Sequence, residues 1–320
     1  MEKLGHTDTV HPSVAIIIVH WKGIDLTKAC LRSLQKISYP NYRILLVDNG
    51  SRESDGKKLK AEFPEIELII SEKNLGFTGG NNLGMAKALE QGFDFVLLLN
   101  NDTEVEADFL DKLVGAFSQQ PKLGLAQALI FFNADRERVW SAGGSFVDAL
   151  GISKTIGYGK RKTELDLAKS RQLDWATGCC MLIREKALRE VGLLRDVFFA
   201  YFEDVDISFR IREKGWEIGV VSDAVIYHTV AGSSKSKSTE GTLSPTVIYL
   251  TARNQLFQIK LHVHGFLRKM SAFSYHGVKF SAWFLYFCLR GRIQKAKALL
   301  RGLVDGISID PSIDRPLPPR

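Results

Sequence analysis

The sequence predicts an α/β fold: a mostly parallel central sheet flanked by helices, with a C-terminal helical extension. Three observations carry that prediction. Short apolar, β-branched runs alternate with helical patterns from residue 14 to about residue 131, the order expected of a doubly wound sheet built by right-handed crossovers. The apolar run at 93–99 stops abruptly at Asn100-Asn101-Asp102-Thr103, as a strand covered on both faces would. Between Arg253 and Arg301 there are ten Lys and Arg and no Asp or Glu, so the last part of the chain presents a different surface.

In order, residues 14–19 read as the first buried strand, and a helical pattern over 26–34 follows, closed by Pro40. Residues 43–47 form a second strand ending in Asp48-Asn49-Gly50-Ser51, and Pro64 precedes a third at 66–70. A glycine-rich loop at 74–82 opens a helix that runs to about Gln91. Small residues there let the backbone approach a ligand, and a helix N-terminus favours an anion, although the spacing is neither a dinucleotide fingerprint nor a P-loop. The strand at 93–99 is followed by a helix over 107–118 and a strand at 123–131. Residues 133–171 carry Gly143, Gly144, Gly157, Gly159 and a charged run, which suggests a hairpin and exposed loops. Residues 175–183 read as a loop entering a buried strand, with Cys179 and Cys180 as small core residues. A helix then begins at Glu203 and ends near Gly215, and strands at 216–221 and 224–227 lead to His228. Residues 229–245, rich in Gly, Ser, Thr and Lys, read as a mobile loop able to order over a ligand.

Composition excludes several classes. The net charge of +7 is more than supplied by the ten cations at 253–301, so the first 252 residues are mildly acidic, which argues against a nucleic-acid partner. Cys30, Cys179, Cys180 and Cys288 show no metal-ligand spacing and fit a reducing compartment. Residues 1–12 lack the apolar stretch of a secretory signal, so the expected location is cytoplasmic.

Candidate chemistry clusters at the ends of strands. Open α/β sheets bind ligands beyond the carboxyl ends of their strands, where Asp102 offers the oxygen that a hard divalent cation on a diphosphate requires. Asp48 holds the same place on its own strand and can accept from a base or a ribose hydroxyl. Both stretches are equally good turn or N-cap chemistry. Glu203 and Asp204 open a helix, where the macrodipole favours the ionised form a general base needs; an acidic N-cap is the structural alternative. His228, just before the polar loop, could ligate a metal or phosphate.

Taken together, Val47-Asp48-Asn49-Gly50-Ser51, the 74–82 stretch, Leu99-Asn100-Asn101-Asp102, Thr177-Gly178-Cys179, Glu203-Asp204-Val205-Asp206 through Arg210, His228 and Arg253-Asn254 resemble the family 2 glycosyltransferases of GT-A fold. The match is best with rhamnosyltransferase-like members that transfer one sugar, and it spans about residues 14–255. The resemblance implies a catalytic domain over 1–252 that holds a nucleotide-sugar donor through His20, Asp48, Asn74, Gly76, Asn81, Asn101, Asp102 and Arg253. It further implies Asp204 as catalytic base beside Glu203, with Asp206 and Arg210 in support. A divalent cation, Mn2+ or Mg2+, would sit on Asp102 and His228; the triplet Asn-Asn-Asp offers that metal one carboxylate. The implied reaction is inverting transfer from dTDP-rhamnose or a UDP-sugar to a hydroxyl of a cell-surface glycan or lipid-linked acceptor. The QxxRW motif of processive synthases is absent. Two alternatives are a sugar-phosphate nucleotidyltransferase, which would carry a Gly-rich basic loop where this chain has His20-Trp21-Lys22-Gly23, and a non-catalytic nucleotide-sugar-binding protein at a membrane.

The extension at 253–320 interleaves its cations with Phe257, Phe266, Phe273, Phe280, Trp283 and Phe287. Residues 270–289 are about long enough to span a bilayer but contain His276 and Lys279. The expectation is in-plane, peripheral association with an anionic cytoplasmic leaflet; a helical subdomain packed on the core, or a homodimer, is the alternative.

Overall fold

Alternate side chains of a strand leave the sheet on opposite sides, so apolar runs such as 14–19 and 95–99 require a cover on both faces. The computed structural model describes residues 11–51, 54–166, 173–229, 235–238 and 241–312. The chain runs β1 (Val14–His20), α1 (Ile24–Leu34), β2 (Tyr42–Asn49), α2 (Asp55–Glu62), β3 (Glu67–Ser71), α3 (Gly76–Glu90), β4 (Phe95–Leu99), β5 (Thr103–Val105), α4 (Phe109–Gln119) and β6 (Leu123–Phe132). Next come β7 (Val139–Ser141), β8 (Gly144–Val147), β9 (Ile152–Thr155), β10 (Cys180–Arg184), α5 (Glu185–Val191), α6 (Glu203–Glu213) and β11 (Glu217–His228). The last elements are β12 (Lys235–Ser238), β13 (Gly241–Leu243), α7 (Pro245–His262), α8 (Phe266–Leu289) and α9 (Ile293–Ser308).

Ile16, Ile18, Leu46, Leu97 and Leu99 pack on one face against α1 and α4, through Leu31, Leu34, Phe109 and Leu113. Ala15, Ile17, Leu45, Val47, Val96 and Leu98 pack on the other against α3, α5 and α6, through Met85, Leu188, Ile207 and Ile211. The main sheet has nine strands in the order β3-β2-β1-β4-β10-β6-β11-β5, with β7 paired to β6. β1 to β4 are parallel, and β6 and β11 share their direction. β10 lies between β4 and β6 and is antiparallel to both.

That central antiparallel strand modifies the doubly wound sheet expected from the sequence. β10 is entered from the 175–179 loop, which already lies at the carboxyl end of β4, where the Asn100 amide donates to the Cys179 carbonyl at 3.0 Å. With no crossover helix to return the chain to the other edge, the strand must run the opposite way.

A second difference concerns the glycine-rich stretch. α3 begins at Gly76, so Gly79, Gly80 and Gly84 are helical rather than part of a loop. A Cβ on Gly80 would lie 2.8 Å from Val19 Cγ1, and one on Gly84 2.5 Å from Ile17 Cγ2. Their smallness lets α3 lie close on β1, which is a packing requirement and not a phosphate cradle. Thr103, in a stretch whose alternative reading is a turn or N-cap, is the first residue of the short strand β5, antiparallel to β11. The two strands expected at 216–227 are one strand with an irregular register between Val221 and Val225. Of the loop expected at 229–245, residues 230–234 and 239–240 lie outside the described residues and the described part holds β12 and β13, while 167–171 of the charged run are also outside.

The C-terminal helices have their own core of Ile248, Ala252, Leu256, Ala272, Phe280 and Leu299. The division expected at 252/253 falls inside the continuous helix α7. Its start is fixed by Pro245 and by Ser244, whose hydroxyl accepts from the Val247 amide. Among the described residues no helix is long and apolar enough to cross a membrane.

Candidate active site

Five of the implicated side chains stand at the carboxyl ends of the parallel strands. His20 closes β1 and is fully buried, with Nδ1 2.8 Å from Thr27 Oγ1 and Nε2 3.6 Å from Asp55 Oδ2. Burial lowers its pKa, against the opposing pull of Asp55 and Asp48. Asn101 joins the same group by donating to Thr27 Oγ1 at 2.8 Å. Asp48, at the end of β2, accepts from the Ser51 amide at 2.9 Å and the Gly56 amide at 3.1 Å. It therefore caps the entry to α2, with both carboxylate oxygens engaged and the residue buried.

Asp102 and His228 are 126 positions apart in sequence, yet His228 Nε2 lies 3.2 Å from Asp102 Oδ1. The pairing of β5 with β11 causes this, since His228 is in register with Thr103 and the Thr229 amide donates to the Asp102 carbonyl at 2.8 Å. The Trp140 ring meets the imidazole edge-on at 4.4 Å. Asp102 Oδ1 and His228 Nδ1 are buried without a hydrogen-bond partner. Orphaned buried polar atoms are costly, and an oxygen beside an imidazole nitrogen suits a divalent cation whose other positions go to diphosphate and water. The described residues contain no cluster of three or more His, Cys, Asp and Glu side chains able to hold a metal by themselves. The donor set thus fits a cation that arrives with an anionic ligand.

Glu203 and Asp204 open α6. Glu203 is 5% exposed and its Oε2 has no partner. Asp204, partly exposed, accepts from the Gly178 amide at 3.1 Å and the Val205 amide at 2.8 Å. Burial and the neighbouring Asp204 and Asp206 charges push Glu203 well above the usual carboxylate range. Burial also raises Asp204, while the Gly178 and Val205 amides pull it back. The sequence argument that the macrodipole favours ionisation is outweighed here, because desolvation is the larger effect. The pair thus holds a proton more readily than free carboxylates do.

The 177–179 loop touches both carboxylate centres, because the Gly178 amide donates to Asp204 and the Cys179 carbonyl accepts from the Asn100 amide, two residues before Asp102. The buried Cys179 thiol is pushed well up, chiefly by burial. Burial raises the Cys30 and Cys180 thiols to about 12, which removes both as nucleophiles.

The 175–179 loop hangs from two polar groups that sequence reasoning missed. The Gln127 side chain accepts from the Thr177 amide at 2.9 Å, and Ser208 Oγ accepts from the Ala176 amide at 3.1 Å. Gln127 was detectable as the lone polar side chain inside the apolar strand 123–131, since a buried amide needs partners. Thr27 and Ser208 gave no such signal. Asn49 binds α3 to β2 by accepting from the Leu75 amide at 2.9 Å and donating to the Gly76 carbonyl at 2.9 Å.

The other implicated side chains are hydrogen-bonded within the scaffold, Asn74 by accepting from Asn49 Nδ2 at 3.2 Å beside the end of β2. Asn74 accepts from the Gly76 amide at 2.8 Å, and buried Asn81 donates to the Phe77 carbonyl at 2.8 Å, inside α3. Arg253, on α7, donates to the carbonyls of Val197 and Phe198. Asp206 is fully buried. Burial alone would raise it, but Arg210, His262 and Arg195 together hold it below the usual carboxylate range.

Residues 11–244 match the family model described as glycosyltransferase like family 2. Among curated proteins, the chain is 26% identical over 223 residues to N-acetylglucosaminyl-diphospho-decaprenol L-rhamnosyltransferase of Mycobacterium tuberculosis, covering 64% of this chain and 72% of that one. It is 25% identical over 217 residues to the low-salt glycan biosynthesis hexosyltransferase Agl10 of Haloferax volcanii, covering 66% and 65%. Among solved structures, the mannosyltransferase PcManGT of Pyrobaculum calidifontis, in complex with GDP-Man and Mn2+, superposes with a TM-score of 0.57 at 13% identity, over 94% of this chain and 88% of that one. GalNAc-T7 with UDP, GalNAc and Mn2+ gives 0.57 at 16% identity over 84% of this chain, which spans 55% of the GalNAc-T7 chain. At these identities the superpositions establish the GT-A fold.

The acidic pair makes a testable demand on stability. Glu203 keeps its proton in the folded chain to a pH well above 4.5, whereas the unfolded chain gives it up near that value. Between the two pKa values the folded state binds the extra proton, so stability falls as pH rises through that window. Glu203→Gln should flatten the fall in denaturation midpoint as pH rises above about 4.5 and lie above the parent at the alkaline end. Parallel curves for the two chains would remove Glu203 from this role.

Proposed function

This chain belongs to glycosyltransferase-like family 2, and from that premise we propose that it is an inverting transferase. It moves one sugar from dTDP-rhamnose or a UDP-sugar to a hydroxyl of a cell-surface glycan or lipid-linked acceptor. The observation that carries this reading is that the 177–179 loop touches two carboxylate centres: its Cys179 carbonyl accepts from the Asn100 amide, two residues before the Asp102 that stands beside His228 and is poor in hydrogen-bond partners, and its Gly178 amide donates to Asp204 of the buried acidic pair that opens α6.

The nucleotide end of the donor lies over the His20, Asp48 and Asn101 group, with Asn74, Gly76 and Asn81 shaping the wall where α3 begins. Asp102 and His228 would hold Mn2+ or Mg2+ against the diphosphate, and that cation supplies charge stabilisation of the leaving group. Asp204 takes the proton from the acceptor hydroxyl. That oxygen bonds to the anomeric carbon as the bond to the β-phosphate oxygen breaks, and the nucleoside diphosphate leaves with the electron pair. Attack opposite the leaving group inverts configuration. A carboxylate raised by burial is a stronger base than an ordinary Asp, and neutral Glu203 beside it can donate a hydrogen bond without adding charge.

The C-terminal helices suit a membrane-bound acceptor. α8 turns Ala272, Phe280 and Phe287 inward, yet leaves Leu267, Val278 and Leu289 exposed at 78%, 73% and 77%. On α9, Val304 and Ile307 are exposed as well. The exposed cations Arg290, Lys297 and Arg301 lie in the same segment, while Arg268 is paired with Asp148. An apolar face fringed by cations matches an anionic leaflet, and we place the chain peripherally on the cytoplasmic face of the membrane.

Asp204→Asn should keep nucleotide affinity but lose transfer by roughly 10²- to 10⁴-fold, as expected for removal of a general base. Near-parent turnover would exclude Asp204 as the base. Asp102→Ala should lower nucleotide affinity only when metal is present.

The full chain should co-sediment with phosphatidylglycerol vesicles, but not with pure phosphatidylcholine, and should be released as salt rises above about 0.3 M. Absence from both vesicle types, with a dimer mass by light scattering, would assign the apolar face to self-association instead.

A further inference from the structure

Just ahead of the acidic pair, the backbone takes a form that few side chains tolerate. Phe199, Tyr201 and Phe202 have φ of +62°, +72° and +72°. Left-handed geometry at three non-glycine residues in four persists only where the surroundings over-determine it.

Here the surroundings are two buried side chains of α7. Arg253 Nη2 donates to the Val197 carbonyl at 2.7 Å and the Phe198 carbonyl at 2.8 Å. Asn254 Nδ2 donates to the carbonyls of Phe198, Ala200 and Tyr201 at 2.9, 2.8 and 2.8 Å. Arg253 Nε fixes the orientation of that amide by donating to Asn254 Oδ1 at 2.9 Å. From the opposite side the Thr78 amide donates to the Phe199 carbonyl at 3.1 Å. A Cβ on Gly76 would lie 2.3 Å from that same oxygen, so glycine is required there. All five carbonyls from Val197 to Tyr201 are therefore held. Asn254 is fully buried and Arg253 is 8% exposed, which leaves neither open to the crevice.

We propose that Arg253 and Asn254 are positioning residues rather than donor contacts: they clamp the left-handed segment 199–202 and so fix where Glu203 and Asp204 meet the acceptor. This rests on the reading of Asp204 as the base. The clamp also explains why an arginine and an asparagine adjoin on one helix. One terminal nitrogen of the guanidinium spans two successive carbonyls, and the short amide shares the second of them and reaches two more from the next position. A lysine or a glutamine reproduces neither geometry.

The experiment compares the parent with Asn254→Ala and Arg253→Lys by hydrogen exchange, by thermal stabilisation with UDP, dTDP and GDP in Mn2+, and by sugar transfer. Asn254→Ala should speed exchange of the 199–206 amides at least about tenfold while strands 45–49 and 95–99 keep their protection. Nucleotide stabilisation should match the parent, and turnover should fall about tenfold or more with donor KM within about twofold. Arg253→Lys should shift both readouts in the same direction by less. Tyr201→Gly, which adopts positive φ freely, should restore part of the lost protection when added to Asn254→Ala. Unchanged exchange at 199–206 in both variants, or loss of nucleotide stabilisation without faster exchange, would overturn the proposal. A parent that binds nucleotide but transfers no sugar would instead count against Asp204 as base, and the exchange readout would still decide the clamp.

Discussion

A carboxyl group buried without a counter-charge is the constraint to which the rest of this structure answers. Glu203 sits at the head of α6 with an unpartnered oxygen and two further carboxylates nearby. Three residues along the same helix, Asp206 is equally buried, yet Arg195, Arg210 and His262 surround it and hold it ionised. One helix thus carries acidic groups in opposite environments. Cations hold the inner one as a structural anchor between α6 and α7, while the outer pair is left raised in the crevice. Separation of pKa values by environment is how a fold assigns different tasks to chemically identical groups.

Much of the scaffold was legible because the strands announce themselves. The runs that became β1, β2, β4 and β6 end within two residues of where the apolar pattern stops, since burial on both faces leaves little freedom in composition. The direction of β10 was not legible. It depends on where the 175–179 loop lies in space, which no local pattern records. The glycines of α3 were misread for a related reason: close approach of backbone to a ligand and close approach of backbone to β1 demand the same missing Cβ.

The site divides along the same line. Asp48, Asp102 and His228 stood out in the sequence because a polar residue ending an apolar run is conspicuous, and Asp204 because it opens a helix. The nearness of Asp102 to His228 follows from the β5 and β11 register and could not be read from two positions so far apart. Thr27 and Ser208 were missed because a hydroxyl on an amphipathic helix looks like any other. Arg253 was noticed as a motif, and only the loop carbonyls beside it disclose what its fork grips. The family match, the relatives and the shared GT-A fold agree with this arrangement at the level of sugar transfer. The donor and acceptor are chemistry for this chain's own crevice to decide.

The central claim is that the crevice over β1, β2 and β4 binds a nucleoside diphosphate together with a divalent cation. The most direct test is the melting temperature of the full chain with UDP, dTDP or GDP, each with Mn2+ and with chelator, because a ligand bound only by the folded state stabilises it. A rise with one of the three nucleotides that needs the metal and is lost in Asp102→Ala is the predicted result. No rise with any nucleotide at concentrations up to about 1 mM would contradict the account.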